Sequence, residues 1–186
     1  MSSAKALAGD FPVPKFIEGG CVCGALRYRV DFPEDHDFKA ASGSCQCTQC
    51  RKQTGSLFFL HQTVPATAFS FTSDTSTLKT FQASPKAYRA FCSTCGTFFY
   101  WQPQSREYVS LAVGTIDPLY LFGEGSDGVQ TGLREGEVGP IPKKGYGLAL
   151  AGGGGDHGWC ANEIPGVTDN VPVLGLARGR RLAEDC

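Results

Sequence analysis

Three short groups of cysteines constrain this chain more than any other feature. They are Cys21-Val22-Cys23, Cys45-Gln46-Cys47-Thr48-Gln49-Cys50 and Cys92-Ser93-Thr94-Cys95. Thiols one or two residues apart are badly placed to bridge each other, but well placed to converge on one cation. The nine cysteines make an odd number, and no secretory signal stands at the start, which also argues against a disulfide framework. A reducing compartment keeps such thiols available as ligands, so the expected location is cytoplasmic. Seven clustered sulfurs suit two zinc ions, one with four ligands and one with three. Cys21, Cys23, Cys92 and Cys95 would join an early strand to a late turn as a closed structural site. Cys45, Cys47 and Cys50 form a set of three that leaves one zinc position for water, a substrate sulfur or another side chain. His61 and Cys160 are the candidates for closing it. A zinc with an open position is a place for chemistry.

The segments between the cysteines read as strands. Leu26, Tyr28 and Val30 alternate with Arg27 and Arg29, the pattern of a half-buried strand. Further strands are expected over 57–61, 68–71, 78–81, 88–91, 97–101 and 108–113, divided by Pro, Ser, Asp and Gly. Thr48 to Thr54 reads as a short helical turn ended by Gly55, which would carry Cys50 back toward Cys45 and Cys47. The expected fold is mainly β, with antiparallel sheets packed around the metal sites and few short helices. The expected organisation is a lead-in over 1–15, a single zinc domain over 16–175 and a tail over 176–186. A glycine-rich insertion at about 121–158 includes Gly152 to Gly155 and reads first as a loop, secondarily as a substrate lid. It lacks the Lys-Ser/Thr of a phosphate loop.

The formal net charge is -1 and the basic residues are scattered, which gives no general pull toward nucleic acid or anionic membranes. No apolar run approaches the roughly 20 residues of a membrane span. The remaining polar residues are less marked. Arg51 and Lys52 follow the central cluster and can receive a substrate carboxylate. His157 and Trp159 lie beside the glycine run, where they can close over a pocket. Glu163 and Asp169 are further proton-transfer candidates. His61 reads as a core histidine and His36 as a solvated one. Phe58, Phe59, Phe98, Phe99 and Trp101 read as core.

Residues 20–28 (Gly-Cys-Val-Cys-Gly-Ala-Leu-Arg-Tyr), 45–55 (Cys-Gln-Cys-Thr-Gln-Cys-Arg-Lys-Gln-Thr-Gly), 91–96 (Phe-Cys-Ser-Thr-Cys-Gly) and 114–118 (Gly-Thr-Ile-Asp-Pro) resemble the glutathione-dependent formaldehyde-activating enzyme family, also called the centromere protein V type. The resemblance runs from about Phe16 to Leu119. It implies an Mss4-like fold, a structural zinc on Cys21, Cys23, Cys92 and Cys95, and a catalytic zinc on Cys45, Cys47 and Cys50. It also implies a carbon–sulfur lyase that makes or breaks a thiol–aldehyde adduct such as S-hydroxymethylglutathione, with glutathione as the thiol. The chain departs from the family pattern after Leu119. There the long glycine-rich stretch displaces Trp159, the expected C-terminal tryptophan, and points to a larger substrate than formaldehyde. Two other functions fit parts of the chain. One is a non-catalytic zinc-braced binding module. The other is thiol redox chemistry at Cys160, within Trp159-Cys160-Ala161-Asn162.

Overall fold

The computed structural model describes residues 11–126, 144–168 and 180–181. These form two sheets. The smaller holds β1 (Phe16–Gly20), β2 (Arg27–Asp31) and β5 (Phe69–Phe71), with β2 in the middle and both pairings antiparallel. The larger holds β3 (Ser42–Cys45), β4 (Phe59–Pro65), β6 (Leu78–Ser84), β7 (Ala87–Cys92), β8 (Phe98–Pro103), β9 (Tyr108–Ala112), β10 (Asp156–Gly158) and β11 (Arg180–Arg181). Their order is β11-β10-β3-β4-β9-β8-β7-β6. The helices are short: α1 (Phe38–Ala41), α2 (Thr48–Thr54), α3 (Pro118–Phe122) and α4 (Gly147–Ala151). The expected mainly β class is what the chain adopts.

The main core lies between the sheets. Ile17, Tyr28 and Val30 from the small sheet meet Val64, Phe99, Val109 and Leu111 from the large one, all almost fully buried. Tyr28 is held at its polar end by the Thr115 hydroxyl at 3.0 Å. Burial makes its phenol much harder to ionise, despite that hydrogen bond. The turn after β9 is pinned to β2 by a two-pronged ion pair between Arg27 and Asp117. A bridge between Gly19 and Ile116 joins the same turn to β1.

Period-two alternation divides the large sheet into two faces. On β4, Gln62 and Val64 are fully buried in the core, while Phe59, His61 and Thr63 turn the other way. Tyr108 and Ser110 on β9 share that second face, with Thr63 directly opposite Ser110. On β8 a register shift between Ala90 and Phe91 of its partner interrupts the alternation. Phe99 and Tyr100 consequently both join the main core, and Trp101 emerges on the second face. Trp101 was expected in the core; the bulge explains the difference.

The glycine-rich stretch also departs from the loop expectation over its described part. Residues 147–151 form α4 and 156–158 form β10, which pairs in parallel with β3 through His157↔Ser44 and Gly158↔Cys45. The glycines allow close packing here. A Cβ at Gly155 would sit 2.2 Å from the Ala40 carbonyl oxygen. Residues 127–143 of the insertion, and positions 1–10, lie outside the described residues, as do 169–179 and 182–186, which include Asp169. Strands β1, β3 and β10 and helices α1, α3 and α4, each three to five residues long, were not among the expected elements.

Candidate metal centre and adjoining cavity

The four outer cysteines meet where the two sheets approach. Cys21 and Cys23 sit in the turn between β1 and β2, shaped by Cys21 N–H donating to the Leu26 carbonyl and Gly24 N–H to the Cys21 carbonyl. Cys92 ends β7 and Cys95 lies in the turn before β8, closed by Gly96 N–H donating to the Cys92 carbonyl. All four sulfurs lie within 4.8 Å of one another. They compete for protons. Ala25 N–H favours the Cys23 thiolate, but the Cys21 and Cys95 sulfurs and desolvation outweigh it and push this thiol up to about 12. Burial raises Cys95, yet donation from the Thr97 hydroxyl and nearby backbone amides brings it down to about 6. Thiols this close ionise together only when a cation shares the charge.

Cys45 closes β3, Cys47 caps the N-terminus of α2 and Cys50 lies in its first turn. Cys47 accepts the Cys50 N–H at 3.3 Å, and Gly55 ends the helix in the left-handed conformation at φ 65°. The three sulfurs are buried and lie within 4.8 Å of one another. Among the described residues no fourth histidine, cysteine, aspartate or glutamate ligand atom joins them. His61 and Cys160 therefore stand outside the set. Soft sulfur donors in groups of four and three fit a thiophilic ion such as zinc.

Beside this set lies a cavity of about 590 Å³. Cys45 and Cys50 form part of its wall, with the second face of the large sheet: Phe59, His61, Thr63, Trp101, Tyr108 and Ser110. His36 and Asp37 close it before α1, and Asp156 closes it from β10. His36 was expected in solvent. Instead it stacks near Phe32 and Phe38, accepts a hydrogen bond from Gln62 Nε2 at 3.0 Å, and is held below its ordinary value by burial. Burial, and then the neighbouring His157, hold the His61 imidazole down to about 4, against the opposing pull of Asp156. Its Nδ1 lies 3.4 Å from the Thr63 hydroxyl, which lies 3.3 Å from that of Ser110. A second cavity, of about 600 Å³, passes Phe59 and Phe98 and touches Cys95, the one ionisable side chain on its wall among the described residues.

The other sequence candidates fall elsewhere. His157 is a structural tie: its Nδ1 lies 2.7 Å from the Ser44 hydroxyl and its Nε2 2.9 Å from the Gly153 carbonyl, and it is not on the cavity wall. Trp159 adopts φ 60°, packs against the three-cysteine cluster and buries its indole N–H with no acceptor among the described residues. Arg51 donates to the Asn162 carbonyl at 3.1 Å and so ties α2 to the turn after Trp159. Lys52 is exposed. Cys160 directs its thiol to the His157 carbonyl at 3.2 Å, and neither it nor Glu163 lines the cavity. Sequence reasoning missed Arg89, which is 2% exposed and donates to Gln49 of α2 at 2.7 Å, while its Nε and Nη1 have no hydrogen-bond partner among the described residues. It also missed the cavity wall. The alternation Phe59-x-His61-x-Thr63 was the available signal.

Among the described residues no helix is long and apolar enough to cross a membrane. The family model for the glutathione-dependent formaldehyde-activating enzyme matches residues 16–125. A curated protein of Emericella nidulans named "Putative glutathione-dependent formaldehyde-activating enzyme" is 28% identical over 163 residues, covering 88% of this chain and 75% of that protein. A crystal structure of a Rhodobacter sphaeroides protein aligns with a TM-score of 0.45 at 22% identity, over 68% of this chain and 98% of the other. With the family model spanning most of the chain and both cysteine sets within or bounding it, this protein belongs to the glutathione-dependent formaldehyde-activating enzyme family.

Proposed function

We propose that this protein is a zinc-dependent carbon–sulfur lyase that makes or breaks an adduct between a thiol, glutathione by family analogy, and an aldehyde. The observation that carries this reading is the unequal division of sulfur. Four thiols form one set, complete in ligand number, and three form another set that opens on a large cavity. Cys21, Cys23, Cys92 and Cys95 would hold a structural ion, and Cys45, Cys47 and Cys50 a catalytic one. What a zinc ion supplies at the second set is a soft Lewis acid that keeps an incoming sulfur ionised.

The chain's own residues supply the rest. Confining thiol and aldehyde in one cavity removes much of the entropic cost of their meeting. His61 is uncharged at neutral pH and faces that cavity, so it can take the hydroxyl proton of an adduct. As the proton leaves, the carbonyl forms, the carbon–sulfur bond breaks and its electron pair stays on sulfur. Addition runs through the same steps in reverse, with the His61 proton returned to the carbonyl oxygen. The Thr63 hydroxyl, between His61 and Ser110, orients the imidazole. His157 positions β3 through Ser44 in this scheme and does not move the proton.

Exchange NMR of glutathione with labelled formaldehyde, on zinc-loaded protein, tests the reading. Accelerated interconversion is expected, falling about 10²–10⁴-fold in His61→Gln. No acceleration with any aldehyde would refute it, and loss of turnover in Cys160→Ala with metal retained would favour redox chemistry instead.

A further inference from the structure

The second face of the large sheet carries three polar side chains in a line that starts beside the three-cysteine set. Phe59 stands opposite Cys45, His61 lies two residues further along β4, and Thr63 two beyond that, opposite Ser110 of β9. At about 3.3 Å per residue, Thr63 and Ser110 stand about 13 Å along the sheet from the level of Cys45. Cys45, His61, Thr63 and Ser110 all border the cavity of about 590 Å³, and so does Trp101, the cross-strand neighbour of Ser110. A one-carbon adduct held at the cysteines cannot reach the Ser110 end, but a cavity of this size has room for a longer molecule. If His61 acts as base, hydrogen bonding along the line runs in one direction. His61 Nδ1 is engaged with the Thr63 hydroxyl at 3.4 Å, so Nε2 is the nitrogen that takes a proton from an adduct. A neutral imidazole that accepts at Nε2 carries its own proton on Nδ1. Nδ1–H then donates to Thr63 Oγ1, and the Thr63 hydroxyl donates to Ser110 Oγ at 3.3 Å. The Ser110 proton is left over. Ser110 is 7% exposed, and among the described residues Thr63 is the sole hydrogen-bond partner of its hydroxyl. A donor confined to such a wall is costly to leave unpaired.

We infer that the aldehyde half of the adduct carries an acceptor oxygen several carbons from its carbonyl, and that Ser110 donates to that oxygen. The inference rests on the carbon–sulfur reading, with His61 as base, and names its substrate class and a specificity-determining residue. The order of groups along the cavity assigns the halves. Sulfur lies at the three-cysteine set and the adduct oxygen at His61. What continues past His61 toward Ser110 is the aldehyde's own chain. The acceptor also serves the reaction. With Ser110 donating to the substrate, the chain keeps its direction and Nε2 stays free of hydrogen. When Nε2 takes the adduct proton, the imidazole becomes a cation and a stronger donor at Nδ1. Each hydrogen bond from His61 through Thr63 and Ser110 to the substrate strengthens with it. Thr63 is the positioning residue of this chain, and no proton leaves it.

Three measurements on zinc-loaded, full-length protein test this and separate it from the reading it rests on. The first is calorimetric binding of two isomeric hydroxy esters, which cannot add a thiol. Methyl 6-hydroxyhexanoate carries its ester carbonyl far from the hydroxyl, and pentyl hydroxyacetate carries it beside the hydroxyl. The first is expected to bind about fivefold more tightly, the worth of one hydrogen bond. In Ser110→Ala the ratio should fall to about one. Equal binding of the isomers by the wild type, or tighter binding of the second, would overturn the inference whether or not the variant folds. The second measurement is nitrogen-15 NMR of His61 with methyl 6-hydroxyhexanoate bound. The ring proton is expected on Nδ1, and a proton on Nε2 would overturn the chain's direction. The third is thiol exchange with methyl 6-oxohexanoate and with formaldehyde. The kcat/KM for the ester aldehyde is expected to be about tenfold the higher, and equality or the reverse overturns the inference while leaving the lyase reading intact. Isomer binding in the expected order, with no exchange on any aldehyde, would uphold the ligand class of the cavity and overturn the lyase reading alone.

Discussion

Replacing Gly43 with alanine tests how β10 is held against the three-cysteine strand. A Cβ at Gly43 would lie 2.3 Å from the Asp156 carbonyl oxygen and 3.1 Å from His61 Cε1. The first contact is with backbone, so relief requires β10 to move away from β3 by about an ångström. Beside the β3–β10 ladder itself, the hydrogen bonds most exposed to that movement are Gly155 N–H to the Ser42 carbonyl at 2.8 Å, Gln46 N–H to the Gly158 carbonyl at 3.1 Å, and Ser44 with His157 at 2.7 Å. At about 0.5–1.5 kcal/mol each, their loss costs about 2–4 kcal/mol. The alanine restricts the unfolded chain and returns about 0.4–1 kcal/mol. The net expectation is about 1–3 kcal/mol of destabilisation, read as a lower urea midpoint with an unchanged slope. Gly114→Ala is the control, because nothing lies within 4 Å of its added Cβ. It should be neutral or stabilising by up to about 1 kcal/mol. A Gly43→Ala protein as stable as the control would refute the seam argument.

Two further perturbations address the site's electrostatics. His61 is held at about 4, below its ordinary value of 6.5, so the unfolded chain binds this proton first as pH falls. Its contribution to stability is therefore intact above about 6.5, declines between 6.5 and 4, and is lost below that. For a partly exposed ring the effect is about 2–3 kcal/mol. The stability difference between wild type and His61→Gln should change by about that much between pH 7 and 4. Parallel pH profiles would contradict it, since any acid-driven metal loss is common to both. Arg89 is a buried cation whose hydrogen bond among the described residues is to Gln49 of α2, between Cys47 and Cys50, and burying a charge is costly unless an anion offsets it. In our account the thiolates of the three-cysteine set would offset it. Arg89→Leu should speed chelator removal of metal from this set about tenfold, and an unchanged rate would exclude the coupling.

The sequence-legible parts of this protein are those with local causes. Short Cys-x-Cys and Cys-x-x-Cys spacings bring sulfurs together through turns of a few residues. Alternation marked β2, the turn at 114–118 marked the end of the β9 region, and Gly55 marked the end of α2. The cavity was not legible, because it depends on which face of β4 and β9 turns from the core and on one bulge in β8. His61 read as a core histidine for the same reason. The glycine run read as a loop because composition does not distinguish glycines that serve freedom from those that serve close approach. His157 read as a pocket residue from its neighbours in sequence. Its hydrogen bonds to Ser44 and Gly153 depend on the β3–β10 pairing, across 113 positions in one case.

The division of sulfur into a set of four and a set of three is tested most directly by counting metal. Native mass spectrometry of wild type and Cys47→Ser, both purified under reducing conditions with zinc, should show two ions in the first and one in a folded second. Two ions retained in Cys47→Ser, or a wild type that binds one, would contradict the account.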